Sequence, residues 1–352
     1  MLLEADPDRR VVRFELARVL IRRKRYTAAR FQLRRLQQAE SDPDVSGVYR
    51  ALDRRISRLR PWDVSLDVSA APRTNANRGA QSDEFVAGSG YFVDEPFRAR
   101  SAVGLRYGGS ASYRFLLDPR FTLVARGFAG GTEYEDDDLS TAYAGAGAVL
   151  SFDPAPRQRI DFGADLTRQW AKGHAFSGER SADIVTPSVA YRFPIAGPFT
   201  GQLRQSFSHV DHDAASLRDG WRGASTAAVT FAPRADRSAT VSLRYDFDRA
   251  GLAYNRHDGL RGGLSLYGEF AHAITLDANA FGGTRRYEAA FPILGRDRRD
   301  DYWGVSLGLT KRDWALYGFA PRVSVSYERQ TSNVARFDFD DWGASIGLSR
   351  GF

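Results

Sequence analysis

From Trp62 to the last residue, apolar and polar side chains alternate with a period of two, and this alternation constrains the fold more than any other feature. Val64, Leu66, Val68 and Ala70 form one face, with Ser65, Asp67 and Ser69 on the other. The same pattern recurs in Ile160/Phe162/Ala164/Leu166, in Val241/Leu243/Tyr245/Phe247 and in Trp303/Val305/Leu307/Leu309. It closes the chain in Trp342/Ala344/Ile346/Leu348/Phe352. Side chains of a β-strand point alternately to its two faces, so each segment reads as a strand with one greasy side. Fourteen such strands are expected, at about 62–70, 100–117, 119–134, 140–153, 157–171, 182–193, 198–210, 221–232, 236–249, 258–270, 272–286, 301–312, 319–330 and 339–352.

Two features favour a barrel in lipid over a soluble sandwich. Short connections rich in turn residues, such as Asp118-Pro119, Asp153-Pro154-Ala155-Pro156 and Ala232-Pro233-Arg234, alternate with longer polar loops at 71–99, 134–140, 171–182, 210–221, 249–258, 286–301 and 330–339. That asymmetry is the pattern of bacterial outer-membrane barrels. The second face is Gly, Ser, Thr and mixed charge, which makes a poor dry core and a good wall for a wet lumen. Tyr107, Phe115, Phe152, Tyr191, Phe193, Phe231 and Tyr327 fall near strand ends, as interface girdles require. Closure also removes the open edges that strands of this length would expose. No uninterrupted apolar stretch approaches the ~18 residues of a membrane helix, and the chain has no Cys, which excludes disulfides and thiolate metal sites.

Residues 1–60 differ from the rest. They hold 16 of the 50 Lys and Arg against 8 of the 43 Asp and Glu, so a basic head precedes a nearly neutral body. The boundary falls at Arg60-Pro61-Trp62, where proline stops a helix. The head reads as a helical hairpin. Val12, Leu16, Val19 and Leu20 recur at helical spacing, as do Ala28, Ala29, Leu33 and Leu36 after a break near Lys24-Arg25-Tyr26. Leu16-Ala17, Tyr26, Ala29, Leu33 and Leu36 also fit the offsets of the 34-residue tetratricopeptide repeat, with Ala17 and Ala29 small enough for close helix approach. Asp6-Pro7 would then end a preceding repeat, and Met1 to Asp6 lacks the basic and apolar regions of a secretory leader. The expectation is either a cytoplasmic protein or a chain whose true beginning lies upstream. The organisation expected is thus a small N-terminal tetratricopeptide-like domain over 1–60 and, over 61–352, a mainly β, fourteen-stranded antiparallel transmembrane β-barrel. Parity places the head on the short-turn side, the periplasm in this barrel class.

Signs of catalysis are scarce. His209 and His212 with Asp211 and Asp213 sit at a strand-to-loop junction and read as solvated. So does the acidic tip of Glu133, Glu135, Asp136, Asp137 and Asp138, which lacks the spacing of a calcium loop. Gly88-Ser89-Gly90 and Gly127 to Gly131 lack the strand–helix context of a nucleotide loop. No enzyme, cofactor or metal is expected. The basic runs could suit nucleic acid, but a head attached to an outer-membrane barrel would meet none. A solvated arginine face, or a docking surface for an acidic cargo or its chaperone made by Arg22, Arg23, Arg25, Arg34 and Arg35, remains open. On the polar faces, Arg106, Arg126, Asp161, Asp165, Arg204, Arg244, Asp246, Arg261 and Asp277 are the lumen-facing candidates, each able simply to hydrate and cross-link the wall.

The helical head, the Pro61-Trp62 entry into strand one and the segment Pro72-Arg73-Thr74-Asn75-Ala76-Asn77 together resemble the surface lipoprotein assembly modulator family (Slam), the outer-membrane component of the type XI secretion system. The resemblance implies transport of surface lipoproteins, or related soluble cargo proteins, across the outer membrane, with outer-membrane lipid, the barrel assembly machinery and a periplasmic chaperone as further partners. Phe352, ending an alternating last strand, resembles the C-terminal assembly signal of such barrels. The route could be the lumen or a seam between the first and last strands. A passive porin for small solutes, and a structural or adhesive barrel, are the competing classes.

Overall fold

A computed structural model describes residues 10–84, 92–171, 181–213, 216–292, 295, 297–314 and 319–350. Three helices precede the strands: α1 (Arg10–Arg22), α2 (Tyr26–Ala39) and α3 (Pro43–Leu59). Lys24, at a φ of 58°, takes the left-handed conformation that reverses the chain between α1 and α2. Ala17 and Ala29 are fully buried where these helices cross, together with Leu33 and Leu36. The third helix lies beyond the expected hairpin, and its start is written plainly in Asp42-Pro43. The Asp42 carboxylate accepts from the backbone N–H of Asp44 at 2.8 Å and of Val45 at 3.4 Å, and proline fills the first helical turn, where a missing N–H costs nothing. Pro61 stops α3, and Arg60 stacks its guanidinium 4.0 Å above the Trp62 ring where the first strand begins.

Fourteen antiparallel strands follow: β1 (Trp62–Arg73), β2 (Ala102–Leu116), β3 (Phe121–Glu133), β4 (Thr141–Phe152), β5 (Arg159–Ala171), β6 (Ala182–Pro194), β7 (Phe199–His212), β8 (Gly220–Arg234), β9 (Arg237–Ala250), β10 (His257–Phe270), β11 (Ile274–Ala290), β12 (Asp297–Lys311), β13 (Ala320–Ser332) and β14 (Phe339–Arg350). Each pairs with its sequence neighbours, and β1 pairs with β14 to close the barrel. All fourteen exceed the ~9–11 residues that cross a bilayer core. The largest departure from the sequence expectation is the β11–β12 hairpin. It extends past Arg286 through a register shift to Ala290↔Asp297, because a bulge carries pairing beyond the point where strict alternation ends.

The greasy face points outward throughout. Leu66, Val68, Leu105, Phe162, Leu166, Leu203, Val241, Leu243, Leu264, Val305, Val325 and Ile346 are all exposed, a surface that only lipid can cover at low cost. Along β12 exposure alternates residue by residue, with Trp303, Val305, Leu307 and Leu309 outward. Two aromatic girdles bound this belt. At the short-turn end, Phe121 stacks on Phe152, Tyr191 on Phe193 and Phe199 on Phe231, at 4.7, 5.0 and 4.8 Å between centroids. At the long-loop end, Trp303, Tyr327 and Trp342 form a run at 5.2 and 4.7 Å across β12, β13 and β14.

Candidate functional site

The head sits across the short-turn mouth, and charge holds it there. Its centre is Glu269, near the end of β10, only 2% exposed. Arg13 of α1, 1% exposed, donates to both its carboxylate oxygens at 3.2 and 3.1 Å. Arg312, just after β12, donates from the barrel side at 2.6 Å. Arg35 of α2 approaches the same carboxylate at 3.6 Å, donates to the Ala235 carbonyl at 2.9 Å and lies 3.8 Å over the Tyr267 ring. Burial is the main influence that lowers the pKa of Arg35 below an ordinary guanidinium's, opposed by Tyr267 and Glu269. Such desolvation makes a nearby carboxylate indispensable to the arginines.

Further contacts run around the rim. Arg10 donates to the Pro233 carbonyl near the end of β8 at 3.3 Å, and Ala235 of the β8–β9 turn is fully buried in the head's apolar cluster. Arg157, in the β4–β5 connection, reaches the Ser41 carbonyl at 3.4 Å. Arg114 of β2 donates to Ser57 at 3.1 Å and pairs with Asp53 at 3.5 Å. Thr27 donates to Asp63 of β1 at 3.3 Å, and Arg30, buried, sits 3.6 Å from Asp53 and 3.9 Å from Asp63. A body that touches β1, β2, β8, β10 and the β4–β5 and β8–β9 turns of one closed ring must span its opening. Beneath it, Phe31 helps line a cavity of about 300 Å³ with Ser65, Asp67, Tyr267, Asp277 and Arg322.

Of the arginines that the sequence suggested for docking, Arg22, Arg23, Arg25 and Arg34 are exposed. Arg35 does not join them: it faces the barrel and is buried there. Arg13, Arg30 and Glu269, which sequence reasoning passed over, carry the interface. One signal was available, because Arg13 occupies the same stripe as the buried Ala17 and Leu20, at i+4 and i+7.

The lumen candidates all fall on the polar face opposite the apolar belt. Arg126 grips Asp165 across Gly147 of the intervening strand, its Nη2 donating to both carboxylate oxygens at 2.7 and 2.6 Å and its Nε to one of them at 3.1 Å. A Cβ at Gly147 would stand 1.9 Å from an Asp165 oxygen, so only glycine leaves room for that bridge. Arg322 grips Asp277 likewise at 2.7 and 2.8 Å. Asp161 accepts from Ser151 at 2.6 Å, and Arg244 lies 3.4 Å from Asp246. Arg261 stacks 3.9 Å over Phe281, whereas Arg106 and Arg204 form no ion pair among the described residues. At the loop end His212 lies 3.1 Å from Asp219, and Asp136 of the acidic tip pairs with Arg100 at 2.5 Å. Phe352 lies outside the described residues.

The β1–β14 closure is fastened at its long-loop end. Asp341, fully buried, accepts from Arg73 at 2.7 Å and from the Asn75 backbone at 3.0 Å. The Asn75 amide also donates to the carbonyls of Gly79 at 2.9 Å and Asp340 at 3.1 Å. Asn75, the first Asn of the Asn-x-Asn segment after β1, therefore helps tie the first strand to the last, while Asn77 bonds Gly79, Arg98 and Arg100.

Fold and site together define a class: a fourteen-stranded membrane-spanning β-barrel whose short-turn mouth is covered by its own helical domain. Residues 62–352 match the family of surface lipoprotein assembly modifiers, and the chain belongs to that family. A surface lipoprotein assembly modifier of Moraxella catarrhalis is 22% identical over 350 residues, covering 98% of this chain and 67% of that protein. Among solved structures, OprB of Pseudomonas putida is similar at a TM-score of 0.45 and 9% identity, over 85% of this chain and 96% of that one. OmpT of Vibrio cholerae, an outer membrane protein solved as a loop-deletion mutant, gives 0.45 and 8%, over 82% and 98%.

Proposed function

We propose that the chain is an outer-membrane translocator of a Gram-negative bacterium, exporting a surface lipoprotein or a related soluble cargo protein to the cell surface. The observation that carries this reading is the helical domain lying across the mouth of a membrane-spanning barrel, in a chain of a family named for surface lipoprotein assembly. In this reading the head faces the periplasm and recruits cargo, either directly or from a chaperone. Arg22, Arg23, Arg25 and Arg34 form the recruiting surface, and attract an acidic partner by long-range charge. Arg35 serves instead to seat the head. In this reading cargo folding or binding outside the cell drives net movement.

Surface display of a lipoprotein encoded beside this chain's gene, measured by protease shaving of intact cells, tests the proposal. Deletion of residues 10–60 should leave the barrel in the outer membrane and reduce display at least tenfold. Replacement of Arg22, Arg23, Arg25 and Arg34 by Gln should weaken cargo capture at low salt, with the difference shrinking at high salt as screening grows. Display that survives the deletion, alongside undiminished solute flux, would identify a porin and refute the translocator.

A further inference from the structure

The interior wall is not evenly neutralised. On the β3–β5 side Arg126 is held by Asp165, and on the β11–β13 side Arg322 by Asp277. The β6–β10 side is different. Ladder pairing runs Arg204↔Thr226, Thr226↔Arg244 and Arg244↔Arg261, so three arginines share one row across four strands. Arg244 and Arg261 stand directly opposite each other, an arrangement of like charges that destabilises a sheet unless something offsets it. Asp246, two positions along β9 from Arg244, lies 3.4 Å from its guanidinium. Arg192, on the same face and two positions nearer the mouth, is exposed. Asp161 continues the same row through Ala190, and among the described residues Arg192, Arg204 and Arg261 form no ion pair, leaving four guanidiniums beside two carboxylates. Their row neighbours Ala190, Thr226 and Gly283 are small, and Arg261 rests 3.9 Å over the Phe281 ring.

We infer that this row is a binding track for a polyanionic ligand bearing several carboxylates, and that its occupant is an acidic segment of polypeptide within the lumen. Guanidinium forks match carboxylates in geometry and charge, and a ligand with carboxylates spaced along an extended chain can engage successive strands at ~4.8 Å intervals. The inference deepens the translocation reading by naming the charge of what the lumen accepts, yet its test does not depend on export.

The test uses the full chain purified in detergent and a fluorescent Glu-rich decapeptide, with a Lys-rich peptide of equal length and citrate as comparisons. Binding of the Glu-rich peptide should weaken with salt. It should fall at least about tenfold in the combined variant Arg204→Gln, Arg244→Gln, Arg261→Gln, in line with the loss of charge-assisted contacts. The single variant Arg204→Gln, which removes no ion pair, should fold normally and already show a measurable loss. The variant with Gln at 22, 23, 25 and 34 keeps this component, which separates the track from the head. Displacement by citrate at equal charge concentration assigns the track to small polyanions and overturns the polypeptide occupant. Wild-type binding no stronger than to the Lys-rich peptide, or binding unchanged in the Arg204, Arg244 and Arg261 variants, overturns the track itself.

Discussion

Replacing Glu269 by Gln tests how the head is held. The substitution keeps size and one accepting oxygen but removes the negative charge that Arg13, Arg35 and Arg312 share at the interface centre. Arg13 and Glu269 are 1% and 2% exposed, so water cannot take over the lost interaction. Breaking one partner of a buried pair costs about 3–5 kcal/mol. Even the lower figure shifts the docked-to-undocked ratio roughly a hundredfold. The barrel's own strands keep their ladders, so the loss should appear as release of the head rather than as unfolding. Amide exchange in α1 and α2 would report it, with β7 and β8 as internal references, as would proteolytic nicking near Pro61. The exposed pair Glu15–Arg18, one turn apart at 2.8 Å, supplies the contrast. Glu15→Gln should change exchange by less than about 0.5 kcal/mol, the worth of a surface helical pair. Equal protection of α1 and α2 in wild type and Glu269→Gln would refute the electrostatic latch at Glu269 and leave the rim contacts and the apolar contact at Ala235 as the anchors.

Other consequences follow from the two faces of the wall and from its closure. Val241→Arg, on the outward face between the girdles, should cost about 2–4 kcal/mol in refolding into vesicles, whereas Ser242→Arg, one residue on and facing inward, should be nearly neutral; equal costs would disprove the assigned faces. Asp341→Asn strips the fully buried acceptor that ties Arg73 and Asn75 to β14, and should raise amide exchange in β1 and β14 while β7 and β8 stay protected. Gly147→Val places a branched side chain where an Asp165 oxygen lies, so it should break the Arg126 bridge and lower the temperature at which the barrel loses its compact gel mobility.

Much of this architecture is legible in the amino-acid order because its cause is local. A period of two in the chain is a period of two in space, so Leu66 against Asp67, or Leu243 against Arg244, announces which side meets lipid without reference to any other strand. Strand number, the side of the short turns and the helical character of the head follow from patterns a dozen residues long. Asp42-Pro43 shows that even the third helix was written in the chain. The hairpin extension past Arg286 was not, because a bulge interrupts the alternation on which the reading depends.

Tertiary structure alone decided which charges meet. Arg13 and Glu269 are separated by 256 positions, and nothing near either residue marks the other as its partner. They come together only because closure of fourteen strands brings the β10 end to the rim that α1 crosses. The same closure buries Arg35 while Arg34 beside it stays in water. It also sets Arg204, Arg244 and Arg261 in one row, since register between strands is a property of the whole ring. Periodicity is carried by neighbouring residues, whereas the pairing of charges across the molecule waits on how the ring is joined.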